Sequence, residues 1–434
     1  MDCQSQQLGA KSEARKMIIK AGKEVIQTVG IVTEYNPFHN GHLYQIQKIR
    51  EIIPNSTIVC VMSGSLVQRG ELSLLSKYDR AEIAVKCGAD VVLELPSVFS
   101  LASANIFASS AVYILEKTGG VDFLCFGSEC GDLQRLEKVA ARLNSDEFNI
   151  KLKNNIKDRA NTSFPANTAA TYEELFNGDD IDIFNGSNNI LGLEYLKALQ
   201  NLKSNIKPVT IKRIGNSHNL REIISGESAS ATAIREFILR TENAANIMAL
   251  QNLLPPQSYE ILADCINSGK YADIKNIETA IISHIRRLDV CEIRRYAEIF
   301  HGDEYRIKKI AENVFKYDDF VENLKAKHYT TSGVRRMILN VFFGITKEEQ
   351  RENPQFTTLL AFNKSRGQNF LNDIKKKSQI QIITKPASIK NFQDEKFIKA
   401  FEKNLFIDNI YKLAFYDSSG EENAAKQSPY IHIH

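Results

Sequence analysis

The sequence predicts an α/β fold: a doubly wound parallel sheet over residues 25–245, followed by a mainly α-helical domain over 246–434. Three observations carry this. Short apolar runs with many β-branched residues recur at 29–32, 57–63, 89–96 and 121–126, as buried strands do. Stretches of helical period lie between them, the alternation expected of βα units. Beyond about residue 244 the strand signal fades and helical patterns take over. A chain of 434 residues is too long for one ordinary core, so two domains are expected. Residues 1–24 are polar and basic, read as an N-terminal extension without the apolar centre of a secretory signal. With 43% hydrophobic and 25% charged residues the chain is globular rather than disordered. No apolar run is long enough for a bilayer. Seven cysteines without a CxxC pair fit a reduced, cytoplasmic protein. No protein partner is expected.

The first strand leads into the stretch around which the chain is organised, residues 28–44. Asn36-Pro37 ends the apolar run, since proline offers no ladder donor and restricts the residue before it. After Gly41, residues Leu43, Ile46, Ile49 and Ile53 share one helical face. Strand, tight turn and helix thus place His39 and His42 at a helix start. Unpaired N–H groups and the positive dipole end suit phosphate there, and Gly41 lets the backbone approach it. Two imidazoles can hydrogen-bond phosphate oxygens and stabilise charge during displacement at phosphorus. Half of a zinc site is the competing reading, but no third ligand stands at a usual spacing.

The second strand, 57–63, runs into a loop bounded by Gly64 and Gly70. A helix follows from Lys77, with Ser76 as N-cap and Gly88 as stop. The third strand, 89–96, precedes a helix over 103–117 ending at Gly119-Gly120. The fourth, 121–126, runs into Gly127, and a helix covers 132–143. His39, His42, Gly64 and Gly127 all follow strand ends, where open α/β sheets bind ligands. Residues 145–180 read as an irregular insertion with one helix near 168–176. Asn188-Asn189 reads from composition first as a turn or cap. A fifth strand, 207–214, includes Arg213 and Ile214. Ser230 and Thr232 at the next helix start, with Arg235 one turn on, form either a triphosphate clamp or an ordinary N-cap with a surface arginine.

His39-Asn40-Gly41-His42 together with Ser230-Ala231-Thr232-Ala233-Ile234-Arg235 resembles the two signature motifs of the HxGH nucleotidylyltransferase superfamily, in order and at two strand–helix junctions. The longer run Glu34-Tyr35-Asn36-Pro37-Phe38-His39-Asn40-Gly41-His42 resembles the bacterial tRNA(Met) cytidine acetate ligase family. Further matches are Val61-Met62-Ser63-Gly64, Gln68-Arg69-Gly70-Glu71, Ser76-Lys77, Leu93-Glu94-Leu95-Pro96, Phe126-Gly127-Ser128-Glu129 and Asn188-Asn189-Ile190-Leu191-Gly192. Ser65-Leu66 after Gly64 departs from the expected pattern. The resemblance implies a HUP-like nucleotidyltransferase domain that binds ATP, activates acetate as acetyl-adenylate and acetylates N4 of the wobble cytidine, position 34, of elongator tRNA(Met). It implies His39 and His42 as catalytic residues. The implied ATP contacts are Val32, Thr33, Glu34, Tyr35, Asn36, Pro37, Phe38, His39, Asn40, Gly41, His42, Leu43, Tyr44 and Gln45, then Gly127, Asn188, Arg213, Ile214, Ser230, Thr232 and Arg235. Mg2+ is expected as the counter-ion of ATP, with no dedicated protein ligand.

In the helical half, basic residues cluster at Arg335-Arg336 and Lys375-Lys376-Lys377, among others, with aromatics interleaved. Such a half beside a nucleotide-activating domain reads as a surface for tRNA phosphates, although each pair alone also fits a solvated helix face. Two rivals stand. One is a small-molecule adenylyltransferase with the same motifs. The other is a non-catalytic RNA-binding protein on a nucleotidyltransferase-like fold.

Overall fold

The computed structural model describes residues 26–159, 162–213, 230–240, 244–421 and 423–433. Strands β1 (Thr28–Thr33), β2 (Thr57–Ser63), β5 (Val91–Leu95), β6 (Phe123–Ser128) and β7 (Lys207–Lys212) form a parallel sheet in the order β5-β2-β1-β6-β7. The chain steps from β1 toward β5, then returns to build β6 and β7 on the other side. The reversal puts a crevice at the carboxyl ends of β1 and β6, the place where open α/β sheets receive ligands. Between β2 and β5 a two-stranded hairpin, β3 (Leu66–Val67) with β4 (Glu71–Leu72), stands off the sheet.

Alternation along each strand sorts the core onto two faces. Ile58, Cys60 and Met62 face helices α1 (Asn40–Ile52) and α2 (Lys77–Lys86). Val59 and Val61 face α3 (Ala104–Thr118). Further along come α4 (Leu133–Leu143), α5 (Asp146–Asp158), α6 (Phe164–Phe176), α7 (Ser187–Leu202), α8 (Ala231–Arg240) and α9 (Pro256–Asn267). The expected caps hold: Ser76 accepts from the Asp79 amide, and Gly119 closes α3 with φ 66°. The region read as irregular contains a second helix, α5. Among its apolar residues only Phe148 and Leu152 are buried, while Ile150 is exposed, so its amphipathic signal is weak.

The last part of the chain holds α10 (Glu278–Arg287), α11 (Asp303–Ala311), α12 (Tyr317–Leu324), α13 (Thr331–Phe343), α14 (Gly367–Lys377) and α15 (Glu395–Tyr411). The sheet nevertheless crosses the boundary expected at residue 245. Strand β8 (Phe356–Asn363) pairs antiparallel with β5, and β9 (Gln381–Ile383) and β10 (Tyr430–His432) pair parallel with β8. The sheet is therefore mixed at this edge rather than wholly parallel. The apolar run in 356–362 was the available signal, hidden between two helical patterns. Gly367 permits the closure: a Cβ there would stand 2.4 Å from the Asp90 carbonyl. Ile281, Phe320, Met337 and Phe343 of the helical half share one apolar cluster with Val59 and Leu93 of the sheet.

Two buried cations on α2 join these parts. Arg80, fully buried, donates to the carbonyls of Leu75 (3.1 Å), Glu34 (2.6 Å) and Gly64, tying the ends of β1 and β2 together. Lys77 bonds Glu94 at 2.7 Å and Asp408 of α15 at 2.6 Å. Replacing Arg80 with alanine leaves these carbonyls without their donor in a dry interior. A loss of about 3–5 kcal/mol is expected, read from urea unfolding; a loss below about 1 kcal/mol would contradict the clamp.

Candidate active site

β1 delivers the chain to the crevice and α1 begins at His39, its N-cap. The cap is reciprocal. The Gly41 amide donates to His39 Nδ1 (3.0 Å), and the His39 amide donates to His42 Nδ1 (3.1 Å). Both Nδ1 atoms are thus acceptors, which places the proton of each neutral ring on Nε2. The two rings stack with centroids 3.8 Å apart. Gly41 is required sterically, because a Cβ would stand 2.9 Å from the His39 ring.

The expectation of free helix-end amides for phosphate needs correction. The Asn40 amide donates to the Leu253 carbonyl, the Gly41 amide to His39 Nδ1, and the His42 and Leu43 amides to the His39 carbonyl. Two carbonyls and one ring nitrogen thus use up this end of the helix, and the imidazoles offer their own Nε2–H groups instead. Burial, and then the charge of Arg213, bring the His39 imidazole down to about 3. Burial, His39 and Arg213 hold His42 well below its usual value. Both rings are neutral donors at pH 7.

The loop ahead of His39 is pinned from several sides. Asn36 Oδ1 accepts from the Leu74 amide (2.7 Å), the Asn36 carbonyl accepts from Arg235 (2.6 Å), and the Phe38 carbonyl accepts from Ser258 (2.7 Å). Tyr35, Asn36 and Phe38 are buried, so their side chains brace the loop from within. Leu43 and Tyr44 pack partly into the core, and Gln45 reaches the Cys125 thiol. Thr33 is buried and Val32 half-buried. The Glu34 carboxylate accepts from the Gln68 amide at 2.7 Å, and burial raises its pKa.

Across the crevice, Gly127 lies within β6, one residue before its end at Ser128 rather than after the strand as expected, and a Cβ there would meet Arg213 Cγ at 3.2 Å. Arg213 is exposed, and its charge reaches both histidines. Glu129 caps α7 by accepting from the Asn188 amide (3.1 Å), the Asn188 side chain (2.7 Å) and the Asn189 amide (2.7 Å). Burial pushes Glu129 up, but those donors outweigh it and its pKa is lowered. The asparagines are therefore first-turn residues capped by Glu129, not the cap itself, which is Gly186. Ser230 accepts from the Ala233 amide at 3.2 Å, an N-cap, and Thr232 accepts from Arg69 at 3.2 Å. Arg235 is no loose surface arginine: it is buried, bonded to Asn36 and, at 2.5 Å, to Glu71. Ile214 lies outside the described residues.

The basic clusters assigned to tRNA are placed differently from expectation. Arg336 is buried, bonded to Glu298 (2.7 Å) and to the Gln68 carbonyl (3.0 Å), and Arg335 pairs with Glu71. These guanidinia hold α13 against the β3–β4 hairpin. Lys375, Lys376 and Lys377 are exposed, but Lys377 packs on Gly119, just ahead of β6. That is the amino edge of the sheet, about 20 Å from the crevice for a six-residue strand. Spacing exposed neither Arg80 nor Glu71 as a site organiser, because each acts through contacts remote in sequence.

The pattern of the HIGH Nucleotidyl Transferase family matches residues 26–427. The tRNA(Met) cytidine acetate ligase of Acetivibrio thermocellus is 35% identical over 90% of this chain and 95% of its own. That of Halothermothrix orenii is 36% identical over 90% and 96%. The crystal structure of Thermotoga maritima TmcAL bound with alpha-thio ATP superimposes with a TM-score of 0.86 at 31% identity, covering 94% of this chain and all of that one.

The histidine geometry has a direct spectroscopic consequence. In the protein without nucleotide, 15N spectra should show both rings as Nε2–H tautomers between pH 5 and 8, with His39 titrating near 3. Both folded values lie below the ordinary value near 6.5, so the unfolded chain takes up protons first as pH falls. Stability is therefore complete above about pH 6.5 and declines toward about pH 3. A ring titrating near 6.5 would contradict the buried cap.

Proposed function

The chain belongs to the HIGH nucleotidyl transferase family and, within it, to the tRNA(Met) cytidine acetate ligases, and from that premise we infer that it is an ATP-dependent ligase acetylating the wobble cytidine of elongator tRNA(Met). The observation that carries the reading is the pair of neutral imidazoles at the β1–α1 junction, facing Arg213 across the switch point of the sheet. The matching family span and the likeness to an enzyme bound with an ATP analogue support it.

Acetate is a poor acyl donor because its leaving group is oxide. An acetate oxygen attacks the α-phosphorus of ATP, the bond to the β-phosphate oxygen breaks, and pyrophosphate leaves. Acetyl-adenylate then carries AMP as leaving group. Cytosine N4 attacks its carbonyl, loses a proton and becomes N4-acetylcytidine. His39 and His42 donate Nε2–H to the α-phosphate oxygens as charge builds there. Neutrality suits this role, because the donors need no proton exchange with solvent. Arg213 and Arg235, with Ser230 and Thr232, are assigned to the remaining phosphates; Arg235 must then share itself between phosphate and Glu71. Mg2+, held by the triphosphate itself, would offset its charge. Among the described residues no group of three His, Cys, Asp or Glu could hold a metal ion. We assign the enzyme to the cytoplasm, and no described helix is long and apolar enough to cross a membrane.

Acetate-dependent exchange of pyrophosphate into ATP reports the first step alone. His39→Asn keeps an N-cap acceptor but removes the Nε2–H, and His42→Ala removes the second donor. Each should lower exchange by about a hundredfold, on the order of 3 kcal/mol; His42→Ala, which also strips the His39 amide of its acceptor, should cost about 1 kcal/mol in unfolding. Wild-type exchange in both variants would sink the assignment. AMP transfer to a phosphorylated metabolite, indifferent to acetate, would favour the small-molecule adenylyltransferase.

Charge reversal of Lys375–Lys377 should lower the slope of log K for tRNA against log salt by about 0.7–0.9 for each RNA phosphate no longer neutralised. Acetate-dependent exchange should be unaltered, since these residues lie at the opposite edge of the sheet. An unchanged slope would remove them from the RNA surface.

A further inference from the structure

We propose that Glu71 is a positioning residue that links filling of the triphosphate site to the seating of the helical half, by passing its carboxylate between Arg235 and Arg335. The proposal rests on the reading of Arg235 as a phosphate ligand. Glu71 opens the second strand of the β3–β4 hairpin. Its Oε2 accepts from Arg235 of α8 at 2.5 Å, and its Oε1 accepts from Arg335 of α13. The other end of the Arg235 guanidinium holds the Asn36 carbonyl, in the loop that presents the histidines. One carboxylate therefore joins the nucleotide motif to the helical half.

The hairpin is fitted closely to both neighbours. Arg69 donates to Thr232 at 3.2 Å on the nucleotide side. On the other side Arg336 donates to the Gln68 carbonyl and to Glu298. Gly70, with φ 74°, lies so near the first turn of α13 that a Cβ would stand 2.7 Å from Arg335 Cβ and 2.9 Å from the Ser332 carbonyl. One group at this junction is unsatisfied. The Tyr317 hydroxyl is buried and has no hydrogen-bond partner among the described residues, and the charges of Arg335 and Glu71 both act on it.

A triphosphate carries several negative charges and competes with the single charge of Glu71 for Arg235. As Arg235 turns toward phosphate, Oε2 of Glu71 loses its partner. Arg335 and the Tyr317 hydroxyl remain to bind the released oxygen. The carboxylate thus has two arrangements, one bridging to α8 and one drawn wholly toward α12 and α13. The second tightens the hairpin on α13 and favours the seated helical half. By linkage, ATP and tRNA then strengthen each other's binding by one common factor.

The test measures, on the full chain, the Kd of an elongator tRNA(Met) transcript with and without a non-hydrolysable ATP analogue, and the converse. The expected wild-type ratio is about fivefold or more in both directions. Glu71→Gln and Arg335→Gln should bring the ratio near one while remaining folded by circular dichroism. Tyr317→Phe should reduce it without altering the affinity for the analogue alone. If Glu71 only braces the hairpin, Glu71→Gln weakens both ligands while preserving the ratio, and the proposal fails. A wild-type ratio of one also overturns it. Failure of the functional reading shows elsewhere, as absent acetate-dependent pyrophosphate exchange or absent acetylation of tRNA(Met).

Discussion

The guanidinium of Arg80 bonds main-chain carbonyls at the ends of the two central strands, and the site depends on that contact. The Glu34 and Gly64 carbonyls lie just past β1 and β2, where the ladder stops and backbone oxygens need donors. Burial lowers the Arg80 pKa, with Tyr411 and Glu34 acting against it. An arginine suits the task because its planar fork reaches several carbonyls at once. One turn earlier, Lys77 meets Glu94 and Asp408. Burial alone would lower its pKa, but the two carboxylates outweigh burial and raise it. Asp408 in turn is raised by burial. Both cations would be costly alone in the interior; paired, they bind α2 to the sheet and to α15.

That constraint makes the histidine arrangement workable. A helix that begins at a strand end needs partners for its first amides. The Leu253 and His39 carbonyls and the His39 ring supply them, His42 accepts from the His39 amide, and the two ring contacts fix both tautomers. Burial keeps the rings uncharged, so they serve as hydrogen-bond donors without repelling each other across a 3.8 Å stack. Of the two arginines assigned to the triphosphate, Arg213 is exposed at the mouth and Arg235 is buried in the wall.

The helical half is less a separate appendage than composition suggests. Its strand β8 closes the sheet beside β5, and its arginines are largely occupied in joining parts of the chain. Arg286 bonds the Ala311 and Val314 carbonyls, and Lys308 bonds the Leu288 carbonyl. A run of two basic residues on a helix places them about 100° apart, so one commonly turns inward while the other meets solvent. Counting such pairs therefore overstates the charge open to RNA.

The local pattern alone determined the βα alternation, the helix caps at Ser76 and Gly119, and the junction carrying His39, Gly41 and His42. These depend on residues close in sequence, where period, proline and glycine act directly on the backbone. The family likeness was equally legible, because Glu34 to His42 is contiguous. Three other features were decided only in the folded chain: the antiparallel entry of β8, the inward turn of Arg336 and Arg235, and the use of the helix-end amides by imidazole. The first two set a local group against a partner tens or hundreds of residues away, while the third joins residues two or three apart in a competition settled by burial. Each outcome depends on burial and distance, which the order of residues does not state. The bridge at Glu71 is the clearest instance, since its two arginine partners lie 164 and 264 residues further along the chain.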